Sequence, residues 1–244
     1  MAPWPAYPLP RWIAHRGGGA LAPENTLAGI ELAARLGYRA VEFDVMLSAD
    51  GVPVLIHDET LERTTNGHGP VAALPWSVLA GLDAGSSLHP AYAGVGIPRL
   101  EEALARCQTL GLAINLELKP ALGHEVETAL AVARLLARPG PITPLLVSSF
   151  SVPALVTLAD ALPSQARALL VDEVPGHWAE ALAATGARAL HCSSRALLAG
   201  QAAPVLAAGV PVAVYTVNDP LLADACWAAG ARALFSDRLD RLGP

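Results

Sequence analysis

Two acidic residues spaced by two, Glu42 and Asp44, stand in the apolar run AVEFDV, and Glu117 and Lys119 repeat that spacing in AINLELK. On a strand, residues i and i+2 face the same side, so each pair presents its polar groups together while Val41, Phe43 and Val45 turn the other way. Carboxylates gathered away from water repel one another and resist desolvation, so a positive charge must lie between them. Three of them at neighbouring strand ends make an all-oxygen donor set for one hard divalent cation, Mg²⁺, Mn²⁺ or Ca²⁺. The competing reading is a buried ion-pair network, for instance Glu117 with Arg16. Lys119 is the only lysine of the chain; the other 15 of its 16 basic residues are arginine. A compact ammonium at that position suits a phosphoryl oxygen as a point charge, and the alternative is a solitary surface lysine.

His15 and His57 each follow an apolar run, WIA and VPVLI. Imidazole titrates near neutral pH, so two of them flanking a carboxylate cluster supply one general base and one general acid, in an order the sequence leaves open. His68, His89, His124, His177 and His191 have no comparable context. Asn25 and Thr26, after Pro23 and Glu24, read as the cap of the first helix, a role that suffices for Asn25, and Glu24 as a residue that orients its neighbours.

These side chains need a scaffold that brings strand ends together. Ala/Leu-rich amphipathic stretches end in glycine shortly before an apolar run at Gly37, Gly111, Gly186, Gly209 and Gly230, the mark of a helix, a short loop and a buried parallel strand. Five strands follow those glycines, and WIAHR (12–16), PLLVSSF (144–150) and RALLVD (167–172) bring the count to eight. Helices are expected over 25–36, 99–110, 123–137, 152–161, 175–185, 195–208 and 219–229. That alternation in 244 residues predicts an α/β TIM (β/α)8 barrel in one domain, 1–244. A doubly wound open sheet would want G-x-G-x-x-G after its first strand, where this chain has RGGGALAPEN. In a barrel the carboxyl ends of the strands gather His15, Arg16, Glu42, Asp44, Glu117 and Lys119, with Ser148, Ser149, Asp172, His191, Thr216, Asn218 and Asp237 further round. Residues 51–98 break the rhythm: VPVLI reads as an accessory strand, and 58–98 as a small insertion after the second barrel strand, lying over the mouth.

At 53% hydrophobic and 16% charged, the chain is too apolar for a disordered protein. A net charge of −6 without basic runs argues against nucleic acid and anionic membranes as partners. Cys107, Cys192 and Cys226 stand far apart and read as reduced core thiols. MAPWPAYPLPRW has no basic segment leading into an apolar one, and no apolar run reaches the length of a membrane span, so the expectation is a cytoplasmic protein without membrane insertion.

The run HRGGGALAPENTLAGIELAARLGYRAVEFDVMLSADGVPVLIHDETLERTTNG, followed by INLELKP, VYTVN and SDR, resembles the glycerophosphodiester phosphodiesterases, most closely the cytoplasmic bacterial type, from Trp4 to Gly243. The resemblance implies a TIM barrel with a small insertion after its second strand. It implies that His15 and His57 are the catalytic acid and base, that Glu42, Asp44 and Glu117 hold the metal, and that Arg16 and Lys119 contact the phosphate. Tyr215 replaces the tryptophan of the family's WTVN motif, keeping an aromatic wall for the glycerol moiety, and Asn218 closes the motif. The implied reaction is metal-dependent hydrolysis of small glycerophosphodiesters, such as glycerophosphocholine or glycerophosphoethanolamine, to sn-glycerol 3-phosphate and an alcohol, by a monomer or homodimer. Two rivals remain: a phospholipase-like phosphodiesterase acting on lysolipids, and a non-catalytic phosphoester-binding barrel, which should have lost one of the histidines or carboxylates.

Overall fold

Among the described residues the apolar runs form nine strands: β1 (Trp12–Ala14), β2 (Ala40–Leu47), β3 (Pro53–Leu55), β4 (Ala113–Leu118), β5 (Leu145–Ser149), β6 (Ala166–Val171), β7 (Ala189–Ser193), β8 (Val212–Tyr215) and β9 (Ala233–Ser236). In this computed structural model, which describes residues 7–138 and 143–244, β1 pairs with both β9 and β2, closing eight parallel strands into a barrel. Trp4, where the family resemblance begins, and the first six residues read for targeting lie outside the described residues. β3 is the accessory strand, antiparallel to β2 through Val45–Leu55 and Met46–Val54.

Helices α1 (Leu27–Arg35), α2 (Trp76–Leu79), α3 (Leu100–Leu110), α4 (Glu125–Leu136), α5 (Val152–Ala161), α6 (Trp178–Thr185), α7 (Ser194–Leu198), α8 (Ala203–Ala207) and α9 (Pro220–Ala228) fill the connections. The helix expected over 195–208 is two helices, α7 and α8. Its sequence carries the reason: Gly200 turns with φ 78°, and Pro204 has no N–H to continue a helical ladder from α7. The first helix differs too. Thr26, not Asn25, is its N-cap, accepting a bond from the Gly29 N–H, while Asn25 sits at φ 57° with its side chain turned to the barrel.

Alternation along the strands sorts side chains into two shells. Val41, Phe43 and Val45 of β2 and Ile114, Leu116 and Leu118 of β4 pack outward against the helices. Inside, the first layer is small: Ala40, Ala113, Ala168, Ala189, Ala213 and Ala233 cluster with Tyr7, Leu9, Ile13 and Phe235. Alanines leave room at the barrel axis, and Tyr7 fills it, its hydroxyl 2.9 Å from His191 Nε2. His191, placed by sequence among the rim groups, is therefore a buried plug, and burial holds its pKa down to about 3. The unfolded chain takes up a proton below its ordinary value of 6.5, whereas the fold does not until about 3, so stability falls as pH drops through that window. The slope is at most ~1.4 kcal/mol per pH unit for the one proton. Urea midpoints from pH 7 to 4 should therefore fall more steeply for the wild type than for His191→Gln; parallel curves would contradict this.

The insertion carries its own apolar cluster, in which Leu61, Val71, Leu79, Ala84 and Ile97 join Met46, Val54 and Ile56. Its Tyr92 hydroxyl donates to the carbonyl of Leu21, fastening it beside the β1–α1 loop. All three cysteines are free and buried, and burial pushes the thiols of Cys107 and Cys192 up to about 12. Among the described residues no helix is long and apolar enough to cross a membrane.

Candidate active site

Parallel pairing of β2 with β4 puts Asp44 level with Glu117 and Glu42 level with Asn115. One carboxylate oxygen from each of Glu42, Asp44 and Glu117 lies within 4.8 Å of the others, and all three residues are buried. Burial first, then the charges of Asp44 and Glu117, push Glu42 well above the usual carboxylate range. Burial and Asp44 push Glu117 up to about 7, against the partial opposition of Lys119. The neighbouring cations do not close this deficit. Lys119 Nζ is 3.4 Å from Glu117 Oε1 and 3.8 Å from Asp44 Oδ1, and Arg16 Nε is 4.0 Å from Asp44 Oδ2. Glu42 Oε2 accepts the Arg16 backbone N–H at 2.8 Å, but its buried Oε1 has no partner. An orphaned anionic oxygen beside two more carboxylates is a donor set that fits a hard divalent cation. Glu117 pairs with Lys119, not with Arg16, whose guanidinium goes to Glu24 at 3.0 Å.

The β1–α1 loop is built around that carboxylate. Arg16 takes φ 50°, a left-handed conformation costing about 1–2 kcal/mol for a residue with a Cβ. Its N–H then meets Glu42, and its carbonyl accepts the N–H of Asn25 at 2.9 Å. Asn25 clamps Asp44 from both sides: its Nδ2 donates to Oδ2 and its Oδ1 accepts the Asp44 backbone N–H, both at 2.9 Å. Sequence reasoning that saw only a helix cap missed this residue.

The two histidines are held alike. His15 Nδ1 lies 2.7 Å from Asp237 Oδ1, and His57 Nδ1 lies 2.6 Å from Asp58 Oδ1. A carboxylate only accepts, so each Nδ1 carries the proton and each Nε2 is left free. His15 Nε2 stands 3.8 Å from Glu42 Oε2. Burial, the largest influence, lowers the pKa of His57 against the pull of Asp44 and Asp58. Burial of Asp237 is outweighed by the bond and charge of His15 and a bond from Asn218, which leave its carboxyl below the ordinary value.

A cavity of about 210 Å³ joins these groups. His15, Arg16, Glu42, Asp44, His57, Glu117 and Lys119 line it, faced by Phe150, Leu170, Tyr215 and Phe235. The Tyr215 ring packs edge-on to Phe150 at 5.9 Å, and its hydroxyl donates to the carbonyl of Val171 at 2.8 Å. Asn218 is not among the lining residues: its Nδ2 donates to Asp237 Oδ2 at 2.9 Å and its Oδ1 accepts the Asp237 N–H at 2.7 Å. Ser148 bonds Asn115, and Ser149 donates to the carbonyl of Leu118, so neither serine reaches the cavity. A larger cavity of about 300 Å³ lies at the amino ends of β5 to β7, lined by Tyr7, Arg167 and Arg188, and holds none of the acid–base groups.

Asp237 owes its place to a close approach. Gly19, at φ 56°, lies against the Asp237 backbone, where an added Cβ would stand 2.8 Å from the Asp237 Cα and nearer still to its carbonyl oxygen. Gly19→Ala should destabilise the fold by about 1–3 kcal/mol through strain and overpacking. It should also displace the partner of His15 and lower turnover, so urea midpoint and kcat fall together; an unchanged midpoint would contradict the packing argument.

Eight parallel strands with an acid-and-imidazole cavity at their carboxyl ends define a (β/α)8 barrel of the enzyme type. The sequence matches the Glycerophosphoryl diester phosphodiesterase family over residues 15–241, and the chain belongs to that family. Among solved structures, an Oleispira antarctica phosphodiesterase in complex with the product sn-glycerol-3-phosphate is 41% identical, with a TM-score of 0.92 over 96% of this chain and 95% of that one. A glycerophosphodiester phosphodiesterase from Agrobacterium tumefaciens is 29% identical with a TM-score of 0.78, over 95% and 98%. Glycerophosphodiester phosphodiesterase 1 of Bos taurus is 41% identical over 125 residues, 50% of this chain and 37% of that protein. The first curated relatives are thus matched over about half their length or less.

Proposed function

We propose that this protein hydrolyses glycerophosphodiesters to sn-glycerol 3-phosphate and an alcohol, with one divalent cation, Mg²⁺, Mn²⁺ or Ca²⁺, held by Glu42, Asp44 and Glu117. The observation that carries the reading is the convergence of three carboxylates, two carboxylate-held imidazoles and two cationic side chains on one cavity. The product bound by the Oleispira relative supports the same substrate class. When bound, the cation supplies Lewis-acid charge to the phosphate and to the attacking oxygen. Arg16 and Lys119 face the equatorial phosphoryl oxygens and stabilise the charge that builds on them. One imidazole, entering neutral, takes the nucleophile's proton at its free Nε2, and the other, entering as the imidazolium with a second proton on Nε2, gives that proton to the leaving alkoxide. The Nδ1–H bonds to Asp237 and Asp58 leave Nε2 as the nitrogen that exchanges the proton on each ring, and each aspartate supports its ring when it is charged. Tyr215 and Phe150 form the wall against which the glycerol moiety lies. We place the enzyme in the cytoplasm, as a monomer or homodimer acting on small molecules.

A second reading, action on lysolipids, has one observation in its favour. Phe150 lines the cavity yet is 43% exposed, and Leu122, on the loop after β4, and Leu221, in the first turn of α9, are 86% and 78% exposed. The deciding experiment is enzymatic detection of sn-glycerol 3-phosphate from glycerophosphocholine, glycerophosphoethanolamine and glycerophosphoglycerol, beside choline release from lysophosphatidylcholine. The proposal expects the water-soluble diesters to give the larger kcat/KM. A preference for the lysolipid would replace it with the second reading, and no turnover of any diester would sink both.

A further inference from the structure

The insertion sends one side chain back to the site. Arg63 donates from Nε and Nη2 to the two oxygens of Asp58, at 2.5 and 3.0 Å, and from Nη1 and Nη2 to the two oxygens of Glu24, both at 2.8 Å. Each carboxylate has a further partner. Asp58 Oδ1 accepts from His57 Nδ1 at 2.6 Å, and Glu24 Oε1 accepts from Arg16 Nη1 at 3.0 Å. The geometry points to Arg63 as a positioning residue for the reaction proposed above, a single guanidinium that ties the acid–base imidazole of His57 and the phosphate-facing Arg16 to the same point on the insertion.

The chemistry of the fork carries this. A planar guanidinium binds two carboxylates side-on at once and fixes the orientation of both; a lysine ammonium in its place would be a point charge without that directionality. Fixing Asp58 fixes the plane of the His57 ring and its Nδ1–H tautomer, so Nε2 stays available to the cavity. The Arg63 bond, then that of His57, also holds the Asp58 carboxyl well below the usual range despite some burial, so Asp58 remains an acceptor and leaves the proton on the imidazole. Glu24 is kept low in the same way, its burial outweighed by Arg63 and Arg16. Nearly half of the Arg63 side chain is exposed, so its ion pairs add little to global stability; their effect is on orientation. The groups facing His57 are Asp44, Asp58, Arg16 and Lys119, and Arg63 reaches it only through Asp58.

The inference rests on the glycerophosphodiesterase reading for its kinetic arm and is independent of it in a second. The full-length protein, saturated with Mn²⁺ for kinetics and free of Mn²⁺ for NMR, is compared as wild type, Arg63→Ala, Arg63→Lys, Asp58→Asn and the Arg63→Ala/Asp58→Asn double variant. Arg63→Ala should lower kcat for glycerophosphocholine by about 10–100-fold, as loss of an orienting partner does. The double variant should be little worse than the poorer single one, because both break one relay. Arg63→Lys should not restore kcat, whereas millimolar guanidinium should restore part of it to Arg63→Ala. Ring ¹⁵N spectra should show His57 as the Nδ1–H tautomer in the wild type and as a tautomer mixture in Arg63→Ala. Wild-type kcat in Arg63→Ala, or an unaltered His57 tautomer there, would overturn the inference. A wild type that turns over no diester while the tautomer still responds to Arg63 would overturn the function reading and leave the orienting role standing.

Discussion

Alanine in place of His15 or of His57 is expected to lower kcat by ~10²–10⁴-fold, the usual contribution of a general acid or base. Each ring has one nitrogen tied to an aspartate and the other free, and no other imidazole lines the cavity. The deleted ring therefore has no substitute. The fold should tolerate both changes. His15 and His57 are partly exposed, and the partners they leave behind keep other donors: Asp237 keeps Asn218, and Asp58 keeps Arg63. KM should change less than kcat, because Arg16 and Lys119, the proposed phosphate contacts, remain. Initial rates with saturating cation, beside a urea midpoint for each variant, check this. A variant with kcat within about fivefold of the wild type would remove that histidine from the acid–base pair, which cannot lose a true general acid or base so lightly.

Glu42→Gln separates cation binding from folding. Glu42 is buried, pushed up in pKa by desolvation and by two neighbouring carboxylates, and carries one oxygen without a hydrogen-bond partner. Removing a buried, uncompensated charge with an amide of the same shape should leave the cation-free fold at least as stable as the wild type. The order reverses once the cation is added. A ligand at 100 times its Kd stabilises the wild type by ~2.7 kcal/mol, and the variant should gain far less, because one of its three donors is now neutral. Turnover should fall by more than the ~10–100-fold typical of changes outside the ligand shell. Thermal melts with and without Mn²⁺ read the first effect and rates at saturating Mn²⁺ the second. An equal cation-induced shift in both proteins would contradict the carboxylate site.

Much of this site was legible because its residues are local. The i, i+2 spacing of Glu42 with Asp44 and of Glu117 with Lys119 is a strand property, and β2 and β4 are neighbours in register. The eight-strand count was legible for the same reason, each strand being an apolar run with its own boundary. What escaped was long-range or conformational. His15 and Asp237 meet across 222 positions, and nothing in either neighbourhood announces the pair. Asn25 before Thr26 has the composition of a helix cap, and only its left-handed backbone turns its amide to Asp44. Asn218 falls in a motif that suggested substrate contact, yet both ends of its amide hold Asp237. His191 shares its strand position with polar rim groups; the alanines around the barrel axis and Tyr7, far away in sequence, made it a plug.

The most direct test titrates cation-free protein with Mn²⁺ while bound ion and sn-glycerol 3-phosphate production are measured in the same samples. Occupancy should saturate at one ion per chain on the acidic triad, with turnover rising from zero in proportion to it. Full turnover in samples that hold no ion would contradict the account at its centre.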